Sequence, residues 1–277
     1  MQTRSPASVN PPGNIQGVDL DFNFGGIANA CTGTLVANER VGETEFCSVA
    51  FLTAGHCLTK NGNAFKSMTV ILKPRGLGED FTITNKPGGS ASRFYGSVDS
   101  GLVRGDVPCD RVARIPVATL ALGEKPVIGE RLSIARRQEK VVADGKLYNP
   151  GGGQTVTGTL QPNAPGTQWM VAGLDKGGIY AADSGAGVED EHGHLFSVLS
   201  RGDASYKSDF ALVDSQVPEW AANVLKGWGM DPRQRRDNPE VQSFEPQLAS
   251  MAPFMVGTKL PRLVPMREIS SLQSPNL

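Results

Sequence analysis

The sequence Leu-Thr-Ala-Gly-His-Cys at residues 52–57 decides how the rest of this chain is interpreted. It places His56, one of three histidines, at the end of an apolar β-like run, where the neighbouring Cys57 fixes it. The sequence Ala-Ala-Asp-Ser-Gly-Ala-Gly-Val at residues 181–188 places Ser184 in a turn of small residues that leave its hydroxyl accessible. Serine alone is a weak nucleophile; it needs an adjacent base, and the base needs an orienting acid. The two segments therefore indicate nucleophilic catalysis.

The composition is typical of a β-rich globular protein. The chain has 277 residues, 39% of them hydrophobic, with 33 glycines and 19 prolines. Short apolar runs rich in Val, Ile, Thr and Phe recur between turn residues, which predicts strands arranged as barrels or a sandwich. The strand-like runs are 32–37, 48–53, 67–72, 81–84, 131–135, 154–160, 168–172, 194–199 and 209–213.

One helix and two terminal tails complete this organisation. Residues 218–226 predict a helix, because Pro218 suits a first turn and Gly227 follows the last one. Residues 1–17 are polar and Pro-rich and are predicted to form an N-terminal tail. Residues 230–277 begin with a charged linker and continue as a Pro-, Ser- and Gln-rich stretch, which predicts an irregular C-terminal tail.

Charge and hydropathy argue against several classes of partner. The formal net charge is −1, so no global field attracts nucleic acid or an anionic membrane. No run approaches the roughly 18 apolar residues that a membrane-spanning helix needs. The sequence His192-Gly193-His194 lies between two strand-like runs without an apparent third ligand, which predicts a hairpin tip rather than a metal site. We expect a monomer without metal or cofactor.

Four cysteines, an even number, allow three disulfide pairings: they are Cys31, Cys47, Cys57 and Cys109. Two disulfides imply an oxidising compartment, whereas residues 1–17 lack the apolar core of a signal peptide. Either the start shown is not the biological one, or export uses another route, or the thiols stay reduced. Cysteine usage favours export, to a secreted or periplasmic location.

Five motifs resemble, in order, those of the trypsin/chymotrypsin-like serine proteases. Residues 31–36 (Cys-Thr-Gly-Thr-Leu-Val) are similar to the family's Cys-Gly-Gly-Ser-Leu-Ile, and residues 52–57 to its Leu-Thr-Ala-Ala-His-Cys. Residues 182–186 (Ala-Asp-Ser-Gly-Ala) stand where the family has Gly-Asp-Ser-Gly-Gly. Residues 199–202 (Leu-Ser-Arg-Gly) resemble its Val-Ser-Trp-Gly strand, and residues 218–220 open a terminal helix as they do there.

This resemblance implies an all-β fold: a double antiparallel β-barrel with a C-terminal helix, spanning residues 18–229 with the boundary between barrels near residue 122. The order of histidine first and serine last matches this family rather than the subtilisins or the α/β-hydrolases. The implied function is that of a bacterial-type serine endopeptidase that hydrolyses a polypeptide substrate through an acyl-enzyme. A non-catalytic protease-like binding module and an esterase that uses the same triad are the alternatives.

The acid of the triad has two candidates. Residues 99–104 (Asp-Ser-Gly-Leu-Val-Arg) resemble the family's Asp-Ile-Ala-Leu-Leu-Lys and lie at about the family's usual separation from His56, which favours Asp99. Asp106 is the rival, but Pro108 makes it a poor start for a central strand.

The resemblance also implies roles for the site residues. Ser184 would attack the peptide carbonyl, His56 would accept its proton and pass it to the leaving amine, and Asp99 would stabilise the imidazolium. The backbone N–H groups of Ala182 and Ser184 would form the oxyanion hole. Ser200 would support the buried acid.

Substrate recognition follows from the same alignment. Ser200, Arg201 and Gly202 match the strand that pairs with the substrate backbone. Gly178 stands at the base of the primary pocket and offers no carboxylate, so a preference for Arg or Lys is not supported. Arg201 and Lys207 lie near the pocket wall and favour an acidic side chain, whereas Asp175 or Asp203 would do the opposite if the loops are misaligned.

Departures from the family concern the turn, the disulfides and activation. Ala182 replaces the oxyanion glycine, so the local backbone must tolerate a Cβ atom. By resemblance Cys31 pairs with Cys57, which leaves Cys47, in an insertion near residues 40–50, for Cys109. The family activates by freeing an N-terminus that pairs with the aspartate before the serine, here Asp183. Residues 15–18 resemble that start only weakly, so zymogen cleavage is not predicted.

Overall fold

The computed structural model of the chain describes residues 15–72, 80–123, 127–138, 142–143, 146–147, 155–163, 169–175, 178–180, 182–202, 210–214 and 216–232. The predicted tails, residues 1–17 and 230–277, lie outside these ranges except at 15–17 and 230–232. Asp203 and Lys207 also lie outside them. None of the helices within the described ranges is long and apolar enough to span a membrane.

The first half of the chain forms a curled, seven-stranded antiparallel sheet with the order β7-β6-β1-β2-β3-β9-β8. A separate pair, β4 and β5, follows the 3-10 helix Gly55–Leu58, and the short helix α1, Cys109–Val112, follows β9. The strands are β1 Val18–Asn23, β2 Ala28–Arg40, β3 Phe46–Thr53, β4 Thr59–Lys60, β5 Asn63–Ala64, β6 Ser67–Ile71, β7 Phe81–Thr84, β8 Ser90–Tyr95 and β9 Val98–Pro108.

The second half forms a closed barrel with the order β10-β13-β14-β17-β16-β15. Two short strands, β11 and β12, form a separate pair, and the helix α2, Val217–Gly227, follows the barrel and packs on β16 and β9. The strands are β10 Arg131–Ala135, β11 Val142–Ala143, β12 Lys146–Leu147, β13 Thr155–Gln161, β14 Met170–Leu174, β15 Gly187–Glu189, β16 Leu195–Gly202 and β17 Phe210–Val213.

Alternating side chains explain how each sheet encloses its own core. Along β1, Val18, Leu20 and Phe22 are buried in the core of the first sheet, as the period of two in a strand requires. A further buried cluster joins the two halves, because it contains Leu52 from β3 and Leu225 from α2 together with residues of the second barrel. The site described below lies between the two halves.

The predicted all-β fold with a C-terminal helix is confirmed. The predicted strand runs correspond to strands of both sheets, and the helix predicted at 218–226 is α2.

The insertion near residues 40–50 is not a separate loop; it lengthens the hairpin of β2 and β3, which turns between Arg40 and Phe46. Ile15, which the prediction placed in the N-terminal tail, is buried, and its N–H donates to Glu189 Oε1 at 3.2 Å.

Candidate active site

His56 lies in the 3-10 helix that follows β3. The disulfide between Cys31 of β2 and Cys57 ties this helix to the sheet, with Cα atoms 6.3 Å apart. Gly55 lets the helix approach β8 closely, because a Cβ atom there would lie 2.2 Å from the carbonyl oxygen of Arg93. The histidine motif is therefore held by a covalent link on one side and by tight backbone packing on the other.

Asp99 of β9 orients the imidazole. Its Oδ2 lies 2.7 Å from His56 Nδ1, and its Oδ1 accepts the backbone N–H of His56 at 2.9 Å. Ser200 Oγ donates to Asp99 Oδ2, and Asp99 is fully buried. The structure thus brings Asp99, His56 and Ser200 together, whereas the rival Asp106 is exposed on β9 opposite Ser48.

The surroundings of Asp99 favour its charged form. Burial by itself would raise the pKa of this carboxyl, but the hydrogen bonds from His56 and Ser200 and the charge on His56 outweigh it, so the pKa of Asp99 lies below its ordinary value. An ionised Asp99 can hold the Nδ1 proton of the imidazole, which leaves Nε2 as the basic nitrogen.

A second carboxylate, which the sequence analysis did not identify, supports Asp99 from behind. Asp214, fully buried after β17, accepts the backbone N–H of Asp99 at 3.0 Å. The guanidinium of Arg93 lies 3.3 Å from Asp214 Oδ2, donates to Ser100 Oγ and stacks over the ring of Trp220 on α2 at 4.7 Å. In the sequence, Asp214 was marked only by its position directly after the predicted strand 209–213.

Ser184 lies in a sharp turn between the two halves. Gly185 has a φ of 86°, and a Cβ atom there would lie 2.1 Å from Thr53 Oγ1, so this position requires glycine. Ser184 Oγ donates to the carbonyl oxygen of Ser200 at 3.0 Å. The described side chains of Ser184 and His56 share no hydrogen bond in this conformation; free active sites often form that bond only with substrate present.

The backbone before Ser184 contains an unusual residue. Ala182 has a φ of 76°, a left-handed conformation that residues with a Cβ atom rarely adopt. Within the described part of the chain, the N–H groups of Ala182 and Ser184 donate no intramolecular hydrogen bond. Both predicted oxyanion-hole donors are therefore available to a ligand.

Asp183, between these two residues, is held by a buried cation. Its Oδ2 accepts from Arg136 Nε at 2.9 Å, and its Oδ1 accepts the backbone N–H of Arg137 at 3.2 Å. Burial raises the pKa of Asp183, and the charge of Arg136 opposes that rise. Arg136 thus pairs with Asp183, while the N–H of Ile15 donates to Glu189. The sequence analysis did not identify Arg136.

Arg137 links the segment after β10 to the first sheet. Its guanidinium donates to the carbonyl oxygen of Cys31 at 2.8 Å and to Asp21 Oδ1 at 3.0 Å. The N–H of Gln138 donates to the buried Asp19 at 2.6 Å. The segment that holds Asp183 is therefore itself anchored on β1 and β2.

The predicted recognition residues lie on β16 and nearby. Ser200, Arg201 and Gly202 end β16, where Ser200 is buried and Arg201 is exposed, and Gly178 is buried. Asp175 binds Arg131 and Thr157, and these hydrogen bonds lower the pKa of its carboxyl to about 2. Because the Asp175 carboxylate already binds Arg131 and Thr157, it is a weak candidate for binding a basic side chain of the substrate.

The predicted disulfides are both present in the structure. Besides Cys31–Cys57, Cys47 of β3 bonds to Cys109 at the start of α1, with Cα atoms 4.9 Å apart. The second disulfide closes the far end of the lengthened hairpin against the end of β9.

Among the residues that the structure describes, two groups of side chains have the composition of a metal site. In the first, His56 lies near Cys31 and Cys57, but both sulfurs are bonded to each other and offer no thiolate. In the second, Glu130, Glu191 and His192 place their ligand atoms within 4.8 Å of one another on the surface. Glu130 is distant in sequence from His192 and His194, so the sequence did not indicate that it lies beside them. Exposed groups of this kind are common without an ion, and we propose none here.

Comparison with known proteins identifies the architecture. No model of a protein family matches the chain, and no curated protein matches it. The chain is similar to the solved structure of the protease Anisep from Arthrobacter nicotinovorans, at 14% sequence identity and a TM-score of 0.50 over 77% of this chain and 95% of that one. It is similar to a Glu endopeptidase, at 14% identity and a TM-score of 0.52 over 81% and 96% of the two chains.

The same architecture also occurs in a protein named for binding. Human heparin binding protein is 17% identical, with a TM-score of 0.50 over 75% of this chain and 91% of its own. Identities at this level establish the architecture and leave the activity open. On these grounds, the chain has the double β-barrel fold of the trypsin/chymotrypsin-like serine proteases.

Proposed function

We propose that this protein is a serine endopeptidase in which Ser184 is the nucleophile, His56 the general base and Asp99 the orienting acid. The observation that carries the proposal is the arrangement of Asp99: a buried carboxylate accepts from both His56 Nδ1 and the His56 backbone and from Ser200. Such a pair costs free energy to bury, and its best-known use is to hold an imidazole ready to accept a serine proton.

The reaction begins when Ser184 Oγ leaves the carbonyl oxygen of Ser200 and turns to His56. His56 takes the hydroxyl proton while Oγ attacks the peptide carbonyl carbon, and the negative charge develops on the carbonyl oxygen. The N–H groups of Ala182 and Ser184 donate to that oxygen. His56 then gives the proton to the leaving amine as the C–N bond breaks, and water hydrolyses the acyl-enzyme by the same steps in reverse order.

The ion pair of Arg136 and Asp183 supports activity without a freed N-terminus. In the family, the partner of this aspartate arrives through cleavage of the chain, whereas here Arg136 belongs to the same chain and is already in contact at 2.9 Å. We therefore propose that folding alone assembles the turn around Ser184.

The substrate and the location follow from the same reasoning. Residues 200–202 at the end of β16 would pair with an extended polypeptide, as the resemblance implies. Two disulfides are typical of proteins in oxidising compartments, so we propose that the protein acts outside the cytoplasm. The C-terminal tail, residues 230–277, would be dispensable for the chemistry, because each proposed catalytic residue precedes it.

A fluorophosphonate probe combined with a peptide library tests the proposal. We expect the probe to label Ser184, and Ser184→Ala to lower the rate of peptide hydrolysis by about 10⁶-fold. His56→Ala should have a similar effect, while His192→Ala, a change of an exposed histidine, should leave the rate unchanged. Labelling of another serine, with Ser184→Ala still labelled, would refute the assignment.

The same assay separates the alternatives. An esterase would hydrolyse a matched ester and leave the corresponding amide intact. The similarity to human heparin binding protein is the reason for testing a non-catalytic binding module as the alternative. Such a module would not react with the probe and would hydrolyse neither substrate.

A further inference from the structure

Thr32 stands beside the nucleophile turn at a position where the family motif has glycine. Its hydroxyl, buried on β2, donates to the carbonyl oxygen of Ala182 at 2.8 Å. Its backbone N–H donates to the carbonyl oxygen of Ser184, also at 2.8 Å. One residue of the first sheet therefore binds both residues that are the proposed oxyanion-hole donors.

The Thr32 hydroxyl binds Ala182, the residue with the unfavourable backbone conformation. Ala182 has a φ of 76°, where its Cβ atom is disfavoured relative to the ordinary conformations of an L-residue. The φ torsion sets the direction of the Ala182 N–H relative to the rest of the residue. If φ relaxed to a negative value while the chain around it stayed in place, the N–H would turn away from its present direction.

The peptide after Ala182 is fixed at both edges. Its carbonyl oxygen accepts from Thr32 Oγ1, and its N–H, which belongs to Asp183, donates to the carbonyl oxygen of Tyr180 at 3.1 Å. Thr53 Oγ1 donates to the carbonyl oxygen of Thr32 at 2.7 Å, so Thr32 is itself held in place. This fixed plane restrains ψ of Ala182. The left-handed region differs in ψ as well as in φ from the α and β regions, so a restrained ψ opposes the relaxation of Ala182 to negative φ.

We propose that Thr32 is a positioning residue for the oxyanion hole: its hydroxyl keeps Ala182 left-handed and so keeps the Ala182 N–H directed at the reacting carbonyl oxygen. The proposal rests on the function proposed above. It also connects two departures from the family motifs, because Thr32 and Ala182 each replace a glycine and the two residues contact each other. The threonine hydroxyl offsets the conformational cost that the alanine introduces.

The expected effect is on the chemical step. Thr32 contacts the turn rather than the substrate, and the negative charge on the carbonyl oxygen develops only in the transition state. Loss of the Thr32 hydroxyl should therefore lower kcat and leave KM nearly unchanged.

Three variants at β2 test the proposal by steady-state kinetics. Thr32→Val, which removes the hydroxyl at nearly constant volume, should lower kcat by about tenfold to 100-fold, less than complete loss of an oxyanion donor. Thr32→Ser, which keeps the hydroxyl, should retain most of the wild-type kcat. Thr34→Val is the matched control: Thr34 is buried on the same strand, and its hydroxyl has no hydrogen-bond partner within the described residues, so kcat should not change.

The same Thr32 substitution in an Ala182→Gly protein tests whether Thr32 acts through Ala182. In an Ala182→Gly protein, positive φ carries no Cβ penalty, so adding Thr32→Val should lower kcat by a smaller factor than it does beside alanine. Far-ultraviolet circular dichroism and thermal unfolding of each variant verify that the proteins compared are folded.

The outcomes separate this inference from the proposed function. If the wild-type protein hydrolyses peptides and Thr32→Val lowers kcat as Thr34→Val does not, the inference is supported. If the wild type is active and Thr32→Val retains full kcat, or if the loss is equally large beside glycine, the inference is wrong and the proposed function stands. An inactive wild type would refute the proposed function itself.

Discussion

The two halves of the proposed active site are held by different physical means. The half on the first sheet, around His56, rests on a disulfide and on Asp99, a buried carboxylate whose hydrogen bonds lower its pKa. The half on the second barrel, around Ser184, contains a left-handed alanine and a buried ion pair. The first half follows the family motifs closely, whereas the second departs from them.

This difference shows where the compensating contacts lie. The nucleophile turn receives its support from residues distant in sequence: Thr32 on β2 holds its carbonyl oxygens, and Arg136 after β10 holds Asp183. Arg137 in turn connects that segment to Asp21 and Cys31. The unusual turn is therefore held by contacts with the first sheet as well as by contacts within its own barrel.

The largest expected effect concerns the half of the site around His56. Asp99→Asn keeps the shape of the side chain but replaces an acceptor by a donor, which favours the wrong imidazole tautomer. We expect kcat to fall by about 10⁴-fold in a peptide hydrolysis assay. Asp106→Asn on the same strand is the control and should be mild; if it is the severe change and Asp99→Asn is nearly silent, the assignment of the acid is wrong.

The next effect concerns the second half. Arg136→Met leaves the carboxylate of Asp183 buried without its cation, so we expect the free energy of unfolding to fall by about 3–5 kcal/mol in a urea titration. Arg131→Met removes an arginine from the exposed pair with Asp175 and should change stability little. Similar effects of the two substitutions would show that the buried pair does not support the turn.

The two disulfides should differ in what they support. Replacing Cys47 and Cys109 by serine should lower the free energy of unfolding by about 2–4 kcal/mol while kcat/KM stays near the wild-type value. Replacing Cys31 and Cys57 should lower both quantities, because that bond ties the helix of His56 to the sheet. Equal kinetic effects of the two double substitutions would contradict this distinction.

The smallest expected effect is on acid stability. Because the pKa of folded Asp99 lies below its ordinary value, its charged form stabilises the protein above the ordinary pKa of an aspartate, and this contribution is lost as pH falls through the lowered value. Equilibrium unfolding at decreasing pH should therefore show a steeper loss of stability for the wild type than for Asp99→Asn. Parallel curves would mean that the folded protein does not hold Asp99 charged.

Local pattern predicted the strands, whereas the resemblance of five motifs to the trypsin/chymotrypsin-like serine proteases implied the double barrel and the proposed triad. Alternating apolar residues predict strands, and the segment 52–57 carries its own signature. The four-residue helix α1 and the strand β8, whose residues are all partly or fully exposed, lacked such a pattern and were not predicted.

The residues that support both halves of the site could not be predicted because they act through tertiary contacts. Arg136 and Asp214 are ordinary charged residues in the sequence, and only the fold buries them beside Asp183 and Asp99. Thr32 lay within a matched motif, yet its contact with Ala182 spans 150 residues. Such pairs leave no periodicity or spacing by which one sequence reveals them.

A crystal structure of the protein after reaction with a peptidyl phosphonate tests the central claim most directly, because it shows the nucleophile and the oxyanion hole together. We predict phosphorus bonded to Ser184 Oγ, one phosphoryl oxygen within about 2.7–3.1 Å of both the Ala182 and Ser184 nitrogens, and Ala182 still at positive φ. A phosphorus atom on another residue, or a phosphoryl oxygen that Ala182 does not contact, would contradict the account.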